Sequence, residues 1–230
     1  MELCTQKDIN IMKENNINIV IIGQNEGNSI NNMLTSLIKY PYKRIWVCDR
    51  CKDDSVHKLN RLKETVIQTD KDLVGRQTSY SRNLGLSFTL NNDVLFLDGD
   101  RYLISGDLKQ LESSKYDIEL LYLENDFRDN RQSKDDYGKV INSFYSCGIF
   151  FKRHAIDKII EFQNELFPTD IQHIWGIEDT YLGDVCYHLG LTTNYNSSIR
   201  LNGKFDRVKL DDIDAIEMRF KKRDKLNVLW

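Results

Sequence analysis

Leu95-Phe96-Leu97-Asp98-Gly99-Asp100 reads as an apolar strand that delivers two carboxylates, two positions apart, into the turn that follows. Side chains alternate faces along a strand, so Asp98 and Asp100 share one side if the extended backbone continues through Gly99. Working upstream, the same unit recurs. Ile17-Asn18-Ile19-Val20-Ile21-Ile22 reads as a buried strand, and Ser29 to Lys39 as a helix with Ile30, Leu34, Leu37 and Ile38 on one face. Arg44 to Asp49 is a second strand. Asp54 to Leu62 is a second helix, with Asp53, Asp54 and Ser55 as capping candidates. Thr65 to Gln68, Arg76 to Leu90 and Asp93 to Leu97 continue as strand, helix, strand. This alternation predicts an α/β, doubly wound, mostly parallel sheet with helices on both faces. Ligands in such sheets bind beyond the carboxyl ends of the strands. That singles out Gly23-Gln24-Asn25-Glu26, Asp49-Arg50 and Asp98-Gly99-Asp100.

The second half is less regular. Ile118 to Leu123 and Phe144 to Phe151 read as strands, and the polar stretch Asn125 to Lys139 between them as a mobile loop. Arg153 to Glu165 reads as a helix. Glu178 to Leu189 is another, ended by Gly190. Asp211 to Leu226 is a last helix whose acidic start and basic end suit its dipole. The expected organisation is one domain over 1–230, with a first half to 104, a second half over 105–210 and the terminal helix over 211–230.

Composition narrows the class. The chain has 230 residues, 40% hydrophobic and 29% charged, and a net charge of -3. That is ordinary for a globular chain with a real core, and there is no overall basic field of the kind nucleic acid attracts. No apolar run approaches the roughly 20 residues of a membrane span. The expectation is a soluble protein in a reducing cytoplasm, without an integral membrane segment. Five cysteines in no disulfide-like pattern agree with it. Cys48-Asp49-Arg50-Cys51 has the C-x-x-C shape, but no second ligand pair accompanies it, and reduced thiols in a loop are the simpler reading.

Three constellations bear chemistry. Asp98 and Asp100 offer hard oxygen donors for a divalent cation that also binds a diphosphate. Trp175-Gly176-Ile177-Glu178-Asp179 puts adjacent acids at a helix start, suited to a general base, beside an aromatic wall at Trp175. In Gly75-Arg76-Gln77 to Ser81-Arg82-Asn83-Leu84-Gly85, Arg76 or Arg82 can reach phosphates by charge-assisted bonds. Each also has a plain reading: a polar turn, an acid-rich helix start, a surface arginine.

Taken in order, these residues resemble the GT-A glycosyltransferases of the mostly inverting family-two type, with a galactosyltransferase-like W-G-x-E-D segment. The resemblance spans roughly Ile17 to Gly190. It rests on the strand ending in Asn25-Glu26, on Asp49 with Asp53-Asp54-Ser55, on Ser81-Arg82-Asn83-Leu84-Gly85, on Asp98-Gly99-Asp100 and on Trp175-Gly176-Ile177-Glu178-Asp179. It implies a hexosyltransferase working from a nucleotide-sugar donor, a UDP-sugar in the first instance. Gln24 and its neighbour Glu26 would line the donor pocket, and Asp49 would bind base or ribose. Arg76 and Arg82 would also face the donor. Asp98 would contact ribose or metal water, and Asp100 would bind Mn²⁺ or Mg²⁺. Asp179 would be the catalytic base of an inverting displacement, with Glu178 beside it for a hydroxyl and Trp175 as the acceptor wall. The acceptor stays open among glycan, protein and modified DNA. One departure concerns the metal. Relatives often supply a His some two dozen residues after the acid pair, where this chain reads Ser197-Ser198-Ile199-Arg200-Leu201-Asn202-Gly203. His188 comes too early, which leaves Asn202, Asp206 or water.

Two other classes share the sheet. A nucleotidyltransferase would carry a Gly-rich loop with a following basic residue after the first strand, which Gly23-Gln24-Asn25-Glu26-Gly27 lacks. A non-catalytic nucleotide-sugar-binding module would have no need of the intact acid pairs.

Overall fold

The structure is a computed structural model, and it describes residues 17–70, 77–124, 132–134, 140–142, 147–170 and 177–202. In chain order the elements begin with β1 (Ile17–Gly23), α1 (Ile30–Leu37), β2 (Lys43–Asp49), α2 (Ser55–Arg61) and β3 (Thr65–Thr69). They continue through α3 (Thr78–Leu86), β4 (Asp93–Asp98), β5 (Leu103–Ser105), a 3-10 helix (Leu108–Ser113) and β6 (Ile118–Leu123). The rest are β7 (Gln132–Lys134), β8 (Val140–Asn142), β9 (Gly148–Phe151), α4 (Arg153–Gln163), α5 (Ile177–His188) and β10 (Thr193–Leu201).

Eight strands form one sheet in the order β3-β2-β1-β4-β9-β6-β10-β5. The first four are mutually parallel, which is why helices connect them. β9 runs antiparallel to both β4 and β6, β10 is parallel to β6, and β5 closes the edge antiparallel to β10. The carboxyl ends of β1, β2, β4, β6 and β10 therefore share one edge.

Alternation along the central strands builds a core on each face. Val20, Ile22, Val47 and Phe96 pack with Leu86 of α3, Ile156 of α4 and Leu182 of α5. Ile19, Ile21, Trp46 and Leu95 pack with Met33 of α1, Leu59 of α2 and Leu108 of the 3-10 helix. Side chains on both faces are buried, so the strands read as continuous apolar runs. The doubly wound expectation holds.

Several expectations change. Within 125–139, Gln132–Lys134 is a strand paired antiparallel with Val140–Asn142, not loop. The strand expected from Phe144 begins at Gly148 among the described residues. β10 and β5 were not legible: Thr193-Asn194-Tyr195-Asn196-Ser197-Ser198 lacks apolar alternation, and only Ile199 and Leu201 of β10 are fully buried. The last helix, expected over 211–226, and the residues Arg76, Trp175, Gly176 and Asp206 lie outside the described residues. Among those described, no helix is long and apolar enough to cross a membrane.

Candidate active site

At the carboxyl edge, where β1, β2 and β4 end, a cleft of about 460 Å³ is lined by Gln24, Glu26, Asp49, Arg50, Gln77, Thr78, Ser81, Asp98 and Asp100. The expected strand-end residues of three separate segments thus meet in one place. Asp98 closes β4, and Gly99 N–H donates to the carbonyl of Ile22 at 2.7 Å, so the turn after β4 is fastened to the end of β1. A Cβ on Gly99 would stand 2.8 Å from Cγ of Glu26, and one on Gly23 would stand 2.6 Å from the same atom. Both glycines therefore leave room for the Glu26 stem, which carries its carboxyl in beside Asp98 and Asp100. Burial first, then the charges of Asp100 and Asp98, push Glu26 from its ordinary 4.5 up to about 7. Burial also raises Asp100, with Arg101 opposing and Asp98 adding to the rise.

That crowding makes a stability prediction. A carboxyl raised in the fold binds more protons folded than unfolded. Its contribution is most favourable below about pH 4.5 and is lost as pH rises through 7. Glu26→Gln keeps the shape and removes the charge. It should stabilise the chain at pH 8 by at most about 3 kcal/mol, and do little at pH 4.5. Urea melts at both pH values check this, and an equal change at the two would contradict it.

The loop after β2 is tied to the loop after β1. Asn25, at φ 63°, accepts through Oδ1 from the backbone N–H of Lys52 (2.7 Å) and Asp53 (3.2 Å). Asp53 accepts from Gly27 N–H at 2.9 Å and from Ser55 N–H at 3.0 Å. Burial alone would raise Asp53, but these bonds from Ser55 and Gly27 outweigh it and hold the carboxyl below its usual range. Asp53 thus caps and fastens, while Asp49 is left to line the cleft, gripped by Arg50 through Nε (3.1 Å) and Nη2 (3.0 Å). Arg50, singled out with Asp49 at the strand end but given no role there, also lines the cleft.

Cys51 belongs to the same tie. Its sulfur accepts from Asn25 N–H at 3.3 Å and donates to the Gly23 carbonyl at 3.7 Å. A hydrogen bond from Cys48 is the main reason Cys51 is lowered to about 7, and the same bond, with burial, pushes Cys48 up. A serine hydroxyl at 51 can donate and accept in the same way. The Cys48→Ser/Cys51→Ser double variant should therefore keep most of any binding or activity measured at the cleft. Loss of activity with the fold intact would restore a chemical role for the C-x-x-C.

The S-R-N-x-G segment lies on α3, and Arg82, Asn83 and Gly85 each do something separate. Asn83 clamps the backbone of Phe167, donating to its carbonyl at 2.7 Å and accepting its N–H at 3.0 Å. Gly85 lets α3 approach β1 so closely that a Cβ would collide with Val20. Arg82 is only 3% exposed and donates through Nη2 to Oδ1 of Asp98 at 2.9 Å. This corrects its expected place: Arg82 stands behind Asp98 and does not line the cleft. Burial works against its charge, but Asp98, Asp179 and Glu178 together raise its affinity for the proton.

Glu178 and Asp179 open α5, as expected. Thr78 Oγ1 donates to Glu178 Oε1 at 3.3 Å, which brings the start of α5 against the start of α3. Glu178 is 6% exposed; burial first and Asp179 second push its carboxyl well above the usual range, with Arg82 pulling back. Asp179 is half-buried.

Asn202 reaches the acid turn from the end of β10. It accepts Tyr102 N–H at 2.5 Å and donates to the Asp100 carbonyl at 3.0 Å. Its amide is thus engaged with backbone and holds the Asp100 turn in place. Among the described residues, no three His, Cys, Asp or Glu side chains are arranged to hold a metal ion by themselves.

No protein-family model and no curated protein sequence matches the chain. Solved structures do. TarS 1-349 of S. aureus in complex with UDP-GlcNAc aligns at TM-score 0.68 and 14% identity, over 91% of this chain and 66% of that one. Glucosyl-3-phosphoglycerate synthase of Mycobacterium tuberculosis, in complex with Mn²⁺, UDP and phosphoglyceric acid, aligns at 0.55 and 13%, over 99% and 82%. A putative glucose-1-phosphate thymidylyltransferase of Bacillus anthracis aligns at 0.52 and 12%, over 90% and 95%. The chain spans just under two thirds of the TarS structures' length. At these identities the likeness establishes the fold, which is of the GT-A type.

Proposed function

We propose that the chain is a glycosyltransferase of the inverting family-two type that moves a hexose from a nucleotide-sugar donor, a UDP-sugar in the first instance, to a hydroxyl acceptor. The observation that carries this reading is the convergence at one sheet edge of Gln24, Glu26, Asp49, Asp98 and Asp100, with Glu178 joined to the same edge through Thr78. The fold neighbours support it: the TarS structure binds UDP-GlcNAc and the synthase structure binds UDP with Mn²⁺.

In this reading the first half of the chain, to 104, holds the donor. Asp49 accepts a hydrogen bond from base or ribose, Gln24 lines the base pocket, and Asp98 meets the ribose. Glu26, Asp98 and Asp100 crowd negative charge that a divalent cation relieves, and their hard oxygens suit Mn²⁺ or Mg²⁺. Asp100 and Asp98 would hold the ion, with the donor's diphosphate and water supplying the other oxygens. When bound, such an ion stabilises charge on the departing diphosphate. The second half presents the acceptor. The acceptor hydroxyl oxygen attacks the anomeric carbon as the bond to the diphosphate breaks, and Asp179 takes the hydroxyl proton. Glu178, held protonated at neutral pH by burial, donates a hydrogen bond to a neighbouring sugar hydroxyl. Trp175 walls the acceptor, and Arg76 reaches the donor phosphates. A cytoplasmic setting accords with the thiol pair Cys48 and Cys51.

One observation favours a second reading, the likeness to the thymidylyltransferase structure, which aligns over 95% of its own length. Calorimetric titration with UDP, dTDP, GDP and dTTP, each with and without Mn²⁺, separates the two. Tighter binding of a nucleoside diphosphate in the presence of the ion is the expected result, and preference for dTTP would favour the alternative.

A further inference from the structure

We propose that Arg82 is a positioning residue that binds the strand-end acid Asp98 to the Glu178–Asp179 pair and keeps the base of that pair ionised. This rests on the glycosyltransferase reading of the site. Three features of the geometry carry it. First, Arg82 is a buried cation, 3% exposed, whose hydrogen bond to a carboxylate uses only Nη2, toward Asp98. Its Nε and Nη1 are buried and have no hydrogen-bond partner among the described residues, as is the case for Oε2 of Glu178. Buried donors and acceptors left in this state are costly, and a charge so placed needs counter-charge close by.

Second, Thr78 and Arg82 stand four residues apart on α3 and so share a face. Thr78 on that face bonds Glu178, which aims the face at the first turn of α5. Third, the guanidinium cannot drift. Its carbon lies 5.4 Å from the centre of the Phe167 ring. That ring is fixed in turn by Phe96 at 4.9 Å and by the Asn83 clamp on its backbone. Arg82 feels the charges of Asp98, Asp179 and Glu178, and Asp179 in turn acts on Glu178.

The arrangement divides labour between two adjacent acids. One buried positive charge faces Asp98, Glu178 and Asp179, so the more deeply buried member of the helix pair is the costlier one to ionise. Glu178 is the more deeply buried, so Asp179 keeps the negative charge and the capacity to accept a proton. The same arginine orients Asp98. Loss of Arg82 should therefore disturb the base and the donor-side acid together, although neither is its neighbour in sequence.

Carboxyl ¹³C NMR titration of the whole chain, with Asp179→Asn and Glu178→Gln used for assignment, tests this without any need for activity. In Arg82→Met both titration steps of the pair should move up by about one pH unit or more. Arg82→Lys, which keeps the charge, should stay near the native values. The acid limb of the pH–turnover profile should move with the NMR values in Arg82→Met. Unmoved titration in a folded Arg82→Met chain, or an equal shift in Arg82→Lys, overturns the proposal. NMR shifts as expected in a protein that transfers no sugar would instead sink the functional reading and leave the electrostatic role intact. If Arg82→Met does not fold, the Arg82→Lys comparison and the native titration of Glu178 above Asp179 decide the matter.

Discussion

Asp100→Ala should lose essentially all transfer, on the order of 10³-fold or more, and still fold. The two halves of that expectation have separate causes. Function falls because Asp100 is the half-exposed acid at the tip of the β4 turn, where it would meet the ion and the diphosphate. Stability survives because the fold already disfavours its charge: burial, with Asp98 adding, raises its carboxyl. Removing a charge that the native state tolerates poorly cannot cost much, so the variant should melt no lower than the native chain near neutral pH. The backbone of the turn is fixed independently by Asn202 on the Asp100 carbonyl and by Gly99 on Ile22. Asp98→Asn should cost less turnover than Asp100→Ala if Asp98 mainly meets ribose. Activity in Asp100→Ala comparable to the native chain, or activity unchanged by excess EDTA, would contradict the account.

The second large effect is expected at the opposite wall. Asp179→Asn should lower turnover by about 10²–10⁴-fold with little change in donor affinity. The amide keeps the shape and cannot accept the proton as the new bond to carbon forms. Glu178 does not replace it. The two residues point about 100° apart around the helix, so the Glu178 carboxyl is not aimed where that of Asp179 is. Proton NMR of the first-formed product gives the companion observation. Inversion of the donor's anomeric configuration is expected, and retention would require a different mechanism.

How much of this could be read from residues alone divides along physical lines. The first half of the sheet was legible because its central strands carry short apolar runs that end where polar residues follow. Ile17–Gly23 gives way to Gln24, Lys43–Asp49 ends on Asp49 and Asp93–Asp98 on Asp98, and a doubly wound sheet collects such ends. The second half was not. β10 keeps only Ile199 and Leu201 fully buried along its length, so it carries no period-two signal, yet it delivers Asn202 to the acid turn.

Charge was the least legible property. Nothing in Ser81-Arg82-Asn83 tells a surface arginine from a buried one. The difference is made by Phe167, far along the chain, whose backbone Asn83 clamps and whose ring lies near Arg82. The C-x-x-C shows the converse. Its spacing suggests redox or metal chemistry, whereas the contacts of Cys51 with Asn25 and Gly23 give it a plainer task in shaping the loop.

In the proposed function the cleft at the carboxyl edge activates a nucleotide sugar with help from a divalent ion. Incubating the purified chain with a panel of nucleotide sugars, with and without Mn²⁺, and measuring released nucleoside diphosphate tests it most directly. Slow, ion-dependent release from one donor, with UDP-sugars favoured, is the expected result, together with its loss in Asp100→Ala. No release from any donor, or pyrophosphate produced from a nucleoside triphosphate and a sugar phosphate, would contradict it.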